Sequence, residues 1–393
     1  MKMLCSESIF NTKYITLIMS DREEILRVEG LKAFYATPRG LLKAVNDISF
    51  TIYKGESVGI FGESGAGKSS IALAIMGVFN KQAKMFVAAR GNDEMKRLWS
   101  LKEKALKKKL TSKDMGEELP GVEGHIWFKG EDLLALDEKE YRKIRGNEIT
   151  YVPQASRTSM NPYTEIDIQT AEALWAHDED DILWEKEVLR RVLIALDLVE
   201  IADVDIRRKL KPSEFSMGED QRILIAMALI MNPVLMIADE PTTAVDVGVQ
   251  KRVMEAIQLV RDKLELAMLL ISNDQGLIAQ TTDKVGVMSA GHLLEFGDTL
   301  TVMKRPGHPF TRAFIMSNPP MHLIRKIREK GLKIRGIPGK VPDMVELPSG
   351  CPFHPRCEYV VEKCREIKPD YREVEKGHWV MCHRFEELPE FEL

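Results

Sequence analysis

Long apolar runs are missing from this chain. No stretch reaches the roughly 18 consecutive apolar residues that a membrane-spanning helix needs. Tyr14-Ile-Thr-Leu-Ile-Met19 is too short, and no small-residue cleavage site follows it. The expectation is a cytoplasmic protein. Met19-Ser-Asp-Arg22 reads as a natural start, so residues 1–18 are expected to be a disordered or misassigned leader, with the ordered domain beginning after a leader segment at 1–24. An excess of one charge is also missing. With 56 Lys and Arg against 60 Asp and Glu, the net charge of −4 gives no general argument for nucleic-acid binding. Cysteine is scarce: five in 393 residues, four of them between 351 and 382. In a cytosolic chain that clustering points to a metal site before disulfides. The 44% apolar and 30% charged content reads as globular, and the length suffices for two or three domains with cores of their own.

What is present centres on Gly62-Glu-Ser64-Gly65-Ala-Gly67-Lys68-Ser69-Ser70, which fits G-x-x-x-x-G-K-[ST]. Ser57-Val-Gly-Ile-Phe61 before it reads as a buried strand, and Ile71–Gly77 after it as a helix. The glycines allow tight turns whose N–H groups face phosphate oxygens, and the helix start adds its positive dipole end. Lys68 is placed to reach the β- and γ-phosphates and the Ser69 hydroxyl to ligate Mg²⁺. A glycine turn without function remains the plainer reading, weakened by the strand and helix on either side.

Other candidates follow along the chain. Residues 25–55 read as short strands, Ile25–Glu29, Lys32–Tyr35 and Ala44–Ile52, with Thr37-Pro-Arg-Gly40 as a turn. Tyr35 suits stacking on an adenine ring and equally suits packing. Residues 80–120 look like an insertion whose basic segment Lys102–Leu110 reads as a solvated helix, with lipid head groups as the sharper alternative. Glu131–Arg145 reads as one amphipathic helix. Glu148–Val152 reads as a strand followed by Gln154, whose amide suits Mg²⁺ or an attacking water. Ser216 and Glu219 form a capping-box pattern opening a helix to Met231, with N–H donors left for an anion around Gly218. Val234-Leu-Met-Ile-Ala-Asp239-Glu240 is an apolar strand ending in two acids, a costly arrangement unless the charges work. Asp239 suits Mg²⁺ and Glu240 suits activation of a water. Asn273 follows the strand Leu266–Ile271, at the edge where open α/β sheets bind ligands. Val285–Met288 and His292–Phe296 read as a hairpin around Ala290-Gly291.

From 301 the chain turns rich in Pro, Gly and charge, which suggests a separate loop-rich module. Its cysteines, Cys351, Cys357, Cys364 and Cys382, follow C-x5-C-x6-C-x17-C. Zn²⁺ and an iron–sulfur cluster both remain open from the residue types, with His354, His378 and His383 near enough in sequence for a mixed Cys/His zinc site.

Taken together, the glycine loop, Gln154, Ser216 through Arg222, Asp239-Glu240 and Ala244-Val-Asp246 stand in the order of an ABC-type ATPase. Over about 25–385 the chain resembles the ATP-binding subunits of dipeptide/oligopeptide ABC importers. Thr37-Pro-Arg-Gly40, Thr158-Ser-Met-Asn-Pro162, His308–Ala313 and Gly350-Cys-Pro-Phe-His-Pro-Arg-Cys357 carry the specific likeness. The resemblance implies an α/β P-loop NTPase of ABC type: a RecA-like core with an antiparallel β subdomain and a helical subdomain at about 166–230, spanning 25–300. A small loop-rich cysteine module at 301–393 follows, with a [4Fe–4S] site on the four cysteines. It further implies two subunits closing head to tail around two ATP molecules. Tyr35 would lie on adenine, and Lys68, Ser69 and Ser70 on phosphate and Mg²⁺. Gln154 would sense the γ-phosphate, Glu240 would act as general base, and Asp246 would lie across the dimer. Two membrane-spanning permease subunits and a solute-binding protein are the implied partners, with the chain peripheral at the cytoplasmic face of the membrane. A catalytically weak regulatory subunit and a soluble, non-transport ABC ATPase are the alternatives.

Two departures stand out. Met217 replaces a glycine of the family turn, and a positive φ there would strain it. Asn273 stands where the family has a histidine; it is shorter and cannot become cationic. A homodimer would carry both departures in each site, whereas a heterodimer with an intact partner would carry one per site. A heterodimer is therefore favoured.

Overall fold

Ser57–Gly62, Leu235–Asp239 and Ala267–Ser272 are buried at every position, as strands covered on both faces must be. The structure, a computed structural model, describes residues 22–391 apart from 109–111, 113–117, 155, 179–182, 243–246, 318, 320–323, 325–328, 330–333 and 335. Nearly all of the expected leader, and Asp246, lie outside the described residues.

In chain order the strands are β1 (Glu24–Thr37), β2 (Gly40–Tyr53), β3 (Ser57–Gly62), β4 (Gly121–Phe128), β5 (Glu131–Asp132), β6 (Ile149–Val152), β7 (Leu235–Asp239), β8 (Ala267–Ser272), β9 (Lys284–Ser289), β10 (His292–Asp298), β11 (Arg372–Glu375) and β12 (His378–Val380). They form an antiparallel sheet, β2-β1-β4-β5, and a larger sheet, β11-β12-β10-β9-β3-β8-β7-β6. Within the larger sheet β9, β3, β8, β7 and β6 run parallel. Side chains alternate between two apolar layers. Ile60, Ile237 and Leu269 face the small sheet and the helix α1 (Lys68–Ile75). Phe61, Met236 and Leu270 face the opposite layer. That layer includes α5 (Ile166–His177), α6 (Glu185–Leu198) and α7 (Met217–Leu229), the helices of the 166–230 segment.

Several local expectations change. Ile25–Glu29 and Lys32–Tyr35 are one strand, because Gly30, at a φ of 57°, sits in a register shift between Val28 and Leu31 and bulges without ending the pairing. Glu131–Arg145 is not one helix. Asp132 caps a short turn at Leu133–Ala135, and Asp137 opens α4 (Glu138–Ile144) through a capping box with Glu140. The insertion forms α2 (Phe79–Arg90) and α3 (Asp93–Lys108), with Met95, Leu98 and Trp99 buried. Its basic face is not wholly solvated: Lys102 points inward, with its ammonium 3.7 Å from Glu123. Among the described residues no helix is long and apolar enough to cross a membrane.

The tail is stitched into the core. β12 pairs with β10 and β11 pairs with β12, so two strands from beyond residue 370 extend the large sheet. Phe353, Cys351, Cys364 and Met381 share one apolar cluster with Leu294 and Phe310. Glu295, fully buried on β10, accepts hydrogen bonds from the Gly307 and His308 amides at 2.7 and 2.9 Å and lies 2.7 Å from His378 Nε2.

Candidate active site

The order β3-β8-β7-β6 sets four strand ends side by side at one edge of the sheet. Gly62 closes β3, Asp239 closes β7, and Asn273 and Gln154 lie one and two residues past β8 and β6. This C-terminal edge of parallel strands is where ligands bind in open α/β sheets.

The glycine loop is held by close approach. Gly67 caps α1 at a φ of 100°, and a Cβ there would come within 1.9 Å of the Ala44 carbonyl oxygen. Gly65, at 77°, faces open space. The amides of Gly65, Gly67, Lys68 and Ser69 make no backbone hydrogen bond among the described residues, leaving a ring of donors at the start of a helix. Lys68 is buried behind them. Its ammonium donates to the Gly62 and Glu63 carbonyls at 3.0 and 2.9 Å and to Asn273 Oδ1 at 2.6 Å. Burial lowers its pKa, and the nearby charges of Glu240, Asp239 and Glu63 oppose that shift.

Asn273 reaches two ways. Its Nδ2 donates to Glu240 Oε1 at 2.6 Å while its Oδ1 accepts from Lys68. A lysine only donates and a carboxylate only accepts, which settles the amide's orientation. Gln154 Nε2 donates to the other oxygen of Glu240, also at 2.6 Å. Glu240 itself sits at a φ of 47°, the left-handed region that disfavours side-chain-bearing residues. Its amide donates to the Ile271 carbonyl at 2.8 Å. Asp239 Oδ2 accepts from the Tyr151 hydroxyl at 3.0 Å, while its Oδ1 is buried without a hydrogen-bond partner. Burial raises the Asp239 pKa, opposed by hydrogen bonds from Ser69 and Tyr151. The buried Asp239 Oδ1 with no hydrogen-bond partner, on a carboxylate that the Ser69 hydroxyl also influences, suits a hard cation that takes one or two protein oxygens and completes its shell with water and phosphate.

The remaining candidates are placed as follows. The Tyr35 hydroxyl lies 3.4 Å from Ser70 Oγ, and its ring packs tilted on Phe79 with centroids 4.2 Å apart. Ser64 is exposed at the mouth of the loop. Ser216 caps α7, with Ser216 and Glu219 bonding each other reciprocally. A hydrogen bond from Arg207 holds the Glu219 carboxyl down at about 2. Gly218 is buried in the first turn of α7. Met217 opens that helix with a negative φ, so the strain expected of a methionine in a glycine's place does not arise, and its side chain is half-exposed. Within this turn the Glu219 carboxylate is held by Arg207 and by Ser216.

The four cysteines line one cavity with His308, Phe353, Tyr359 and Arg384. Burial pushes the Cys351 thiol up to about 12 and Cys357 up to about 11, with smaller contributions from the neighbouring thiols. Of the three candidate histidines, His354 and His383 line this same cavity and His378 does not. His378 is engaged by Glu295, His354 Nδ1 lies 3.0 Å from the Cys351 carbonyl, and His383 Nε2 lies 2.9 Å from that of Ile367. Among the described residues no group of three or more His, Cys, Asp or Glu side chains is placed to hold a metal ion, and that includes the four cysteines.

Residue-by-residue reading missed Tyr151, which holds Asp239, and the partners of Glu63. The Glu63 carboxylate accepts from Arg356 Nη1 at 2.9 Å to each oxygen and from Ser289 Oγ at 2.7 Å. Arg356 belongs to the tail motif and Glu63 to the glycine loop, and no local pattern announces their meeting.

The ABC transporter family pattern matches residues 45–111 and 109–243, and the oligopeptide/dipeptide transporter C-terminal region matches 294–364. The oligopeptide transport ATP-binding protein OppD of Escherichia coli is 33% identical over 362 residues, 92% of this chain and 94% of that protein. The dipeptide transport ATP-binding protein DppD of Bacillus subtilis is 35% identical over 360 residues, 92% and 94%. The chain belongs to the ATP-binding proteins of oligopeptide/dipeptide ABC transporters. A solved dimer of the ATP-binding cassette MJ0796, bound to ADP and Pi, matches at 19% identity with a TM-score of 0.53. It covers 70% of this chain and 99% of that one, and it supports the ABC cassette fold alone. The C-terminal-region match runs from within β10 to Cys364, so it takes in Cys351, Cys357 and Cys364 and stops short of Cys382.

Proposed function

We propose that this chain is the ATP-hydrolysing subunit of a peptide importer, seated at the cytoplasmic face of the membrane against two permease subunits and served by a solute-binding protein. The observation that carries the reading is the row Lys68–Asn273–Glu240–Gln154 at one sheet edge, directly beside the free amides of the glycine loop. Lys68 is held ready for phosphate, Ser69, Asp239 and Gln154 would hold Mg²⁺, and Glu240 is poised to take a proton from water. Bound Mg²⁺ would offset charge on the transferring phosphoryl group. Tyr35 would flank the adenine, and Ser216, Gly218 and Glu219 would face the nucleotide of a second ATPase subunit. Nucleotide charge then favours the closed pair over the open one, which is how ligand binding shifts a population. The test is nucleotide affinity. Lys68→Ala removes the buried ammonium and should weaken ATP binding by about 10- to 100-fold, the worth of one charged hydrogen-bonding group. Unchanged affinity would overturn the assignment.

Two finer points belong to the same reading. Asn273 in place of a histidine favours an asymmetric pair with a different ATPase subunit over a homodimer. The four cysteines share one cavity, and four thiolates are the donor set that a [4Fe–4S] cluster takes; zinc held with His354 or His383, which line the same cavity, is the alternative. Burial makes Cys351, Cys357 and Cys382 resist ionisation as thiols, so a bound cluster would have to supply the charge that turns them into thiolates.

A further inference from the structure

We propose that Arg356 is a positioning residue for the phosphate-binding loop, and that the tail thereby sets nucleotide affinity. This rests on the reading of the glycine loop as the ATP site.

Arg356 and Glu63 are 293 residues apart in sequence and form a buried ion pair in which one nitrogen serves both carboxylate oxygens at 2.9 Å. Their side chains keep only 5% and 11% of their surface exposed. Each is further fixed. The Arg356 Nε donates to the Pro338 carbonyl at 2.9 Å, and its guanidinium lies 5.7 Å from the centre of the Phe353 ring. Glu63 also takes the Ser289 hydroxyl. Glu63 is the second residue of the glycine loop, and its own carbonyl oxygen is one of the three acceptors that hold Lys68. The chain of contacts therefore runs from the tail, through the Glu63 side chain and backbone, to the ammonium that meets phosphate.

The same tail grips the other side of the site. Asp343 pairs with Arg39 at the β1–β2 turn, and the Met344 carbonyl accepts from the Lys43 amide at 2.9 Å. That turn closes the strand carrying Tyr35. Residues 338–356 thus fasten the loop and the hairpin from one surface. A buried charge left without its partner is strongly unfavourable, so neither end of the Arg356–Glu63 pair can be lost without moving the loop.

The experiment is a titration of the full chain with a fluorescent ATP analogue, comparing Arg356→Gln, Glu63→Gln, the double variant and Arg356→Lys. Arg356→Gln should weaken binding by about ten-fold, within the range by which a residue that does not touch the ligand modulates a site. Arg356→Lys, which keeps the charge, should recover part of the loss. The double variant should fall short of the product of the two single losses, because both remove one interaction. A change below three-fold for Arg356→Gln, losses that multiply, or a lysine variant no better than glutamine would each overturn the proposal. Lys68→Ala, run alongside, separates the two readings. If Lys68→Ala loses affinity while Arg356→Gln does not, only the positioning role fails. If Lys68→Ala binds like the parent, the nucleotide site itself has been misplaced and the positioning role falls with it.

Discussion

Asn273 holds Glu240 through a 2.6 Å hydrogen bond from Nδ2 to Oε1, and with its other end it takes the Lys68 ammonium. The acid, the amide and the cation form one line across three strand ends. Nucleotide phosphate would compete with Asn273 Oδ1 for the Lys68 ammonium and so loosen the amide that also holds Glu240. The consequences can be measured.

Glu240→Gln should cut phosphate release by about 10²- to 10⁴-fold, the usual contribution of a positioned general base. In saturating MgATP the variant should run as a dimer on gel filtration, with the partner ATPase subunit present if the pair is asymmetric. Turnover at the parental rate would take Glu240 out of the chemistry.

Asn273→His places a longer side chain, able to carry a positive charge, beside Lys68 and Glu240. Turnover in the site built on this glycine loop should rise by several-fold, on the order of one added charge-assisted hydrogen bond. Steady-state ATP hydrolysis checks it. An unchanged rate would mean that asparagine already does all that the position requires.

Acid should loosen the tail through His308. Burial lowers its pKa from 6.5 to about 3, and its Nδ1 accepts from the Phe310 amide at 3.0 Å, a bond that protonation removes. His292 is lowered to about 4 for the same reason. A group depressed in the folded state contributes fully above its unfolded pKa and loses that contribution as the pH falls. Stability should therefore decline from about pH 6.5 toward pH 4, by up to about 1.4 kcal/mol per pH unit for each histidine. Melting temperatures at pH 7.5 and 5 give the slope. His308→Asn keeps an acceptor without the titration, and its slope should be shallower; an equal slope would exonerate His308.

Protein purified without oxygen should be brown and contain iron and sulfide, and Cys351→Ser should lose both. Stoichiometric zinc in the parent protein would exclude the cluster.

The parts of the site legible in the sequence are those whose chemistry is local. The glycine loop, the two acids after an apolar run and the Ser216–Glu219 cap each declare themselves within a few residues, because spacing alone fixes their geometry. Asn273 is legible as a position, at the end of a strand, but its bridge between Lys68 and Glu240 depends on β8 lying between β3 and β7. Tyr151 gives no signal for the same reason: only the pairing of β6 with β7 turns a half-buried strand tyrosine into a donor to Asp239. The split of Ile25–Tyr35 into two strands fails on Gly30, since a glycine that bulges a strand and one that ends it look alike in sequence. The composition change at 301 is real, yet β12 completes the large sheet, and pairing across more than 80 residues leaves no periodic trace in either segment.

That late strand bears on how the protein is made. Chains are synthesised from the N-terminus, so β10 emerges well before the residues that pair with it. Until His378–Val380 arrives, one border of the growing sheet is an open template for other chains, and Glu295 lacks the imidazole that meets it in the finished fold. Chains stalled on the ribosome just ahead of residue 378 should therefore aggregate more than those stalled just after 385, a difference that a solubility assay of released nascent chains would reveal. The glycine loop is synthesised some 300 residues earlier and Arg356, its last partner, shortly before residue 378, so the residues from 378 onward decide whether a site already synthesised stays in solution.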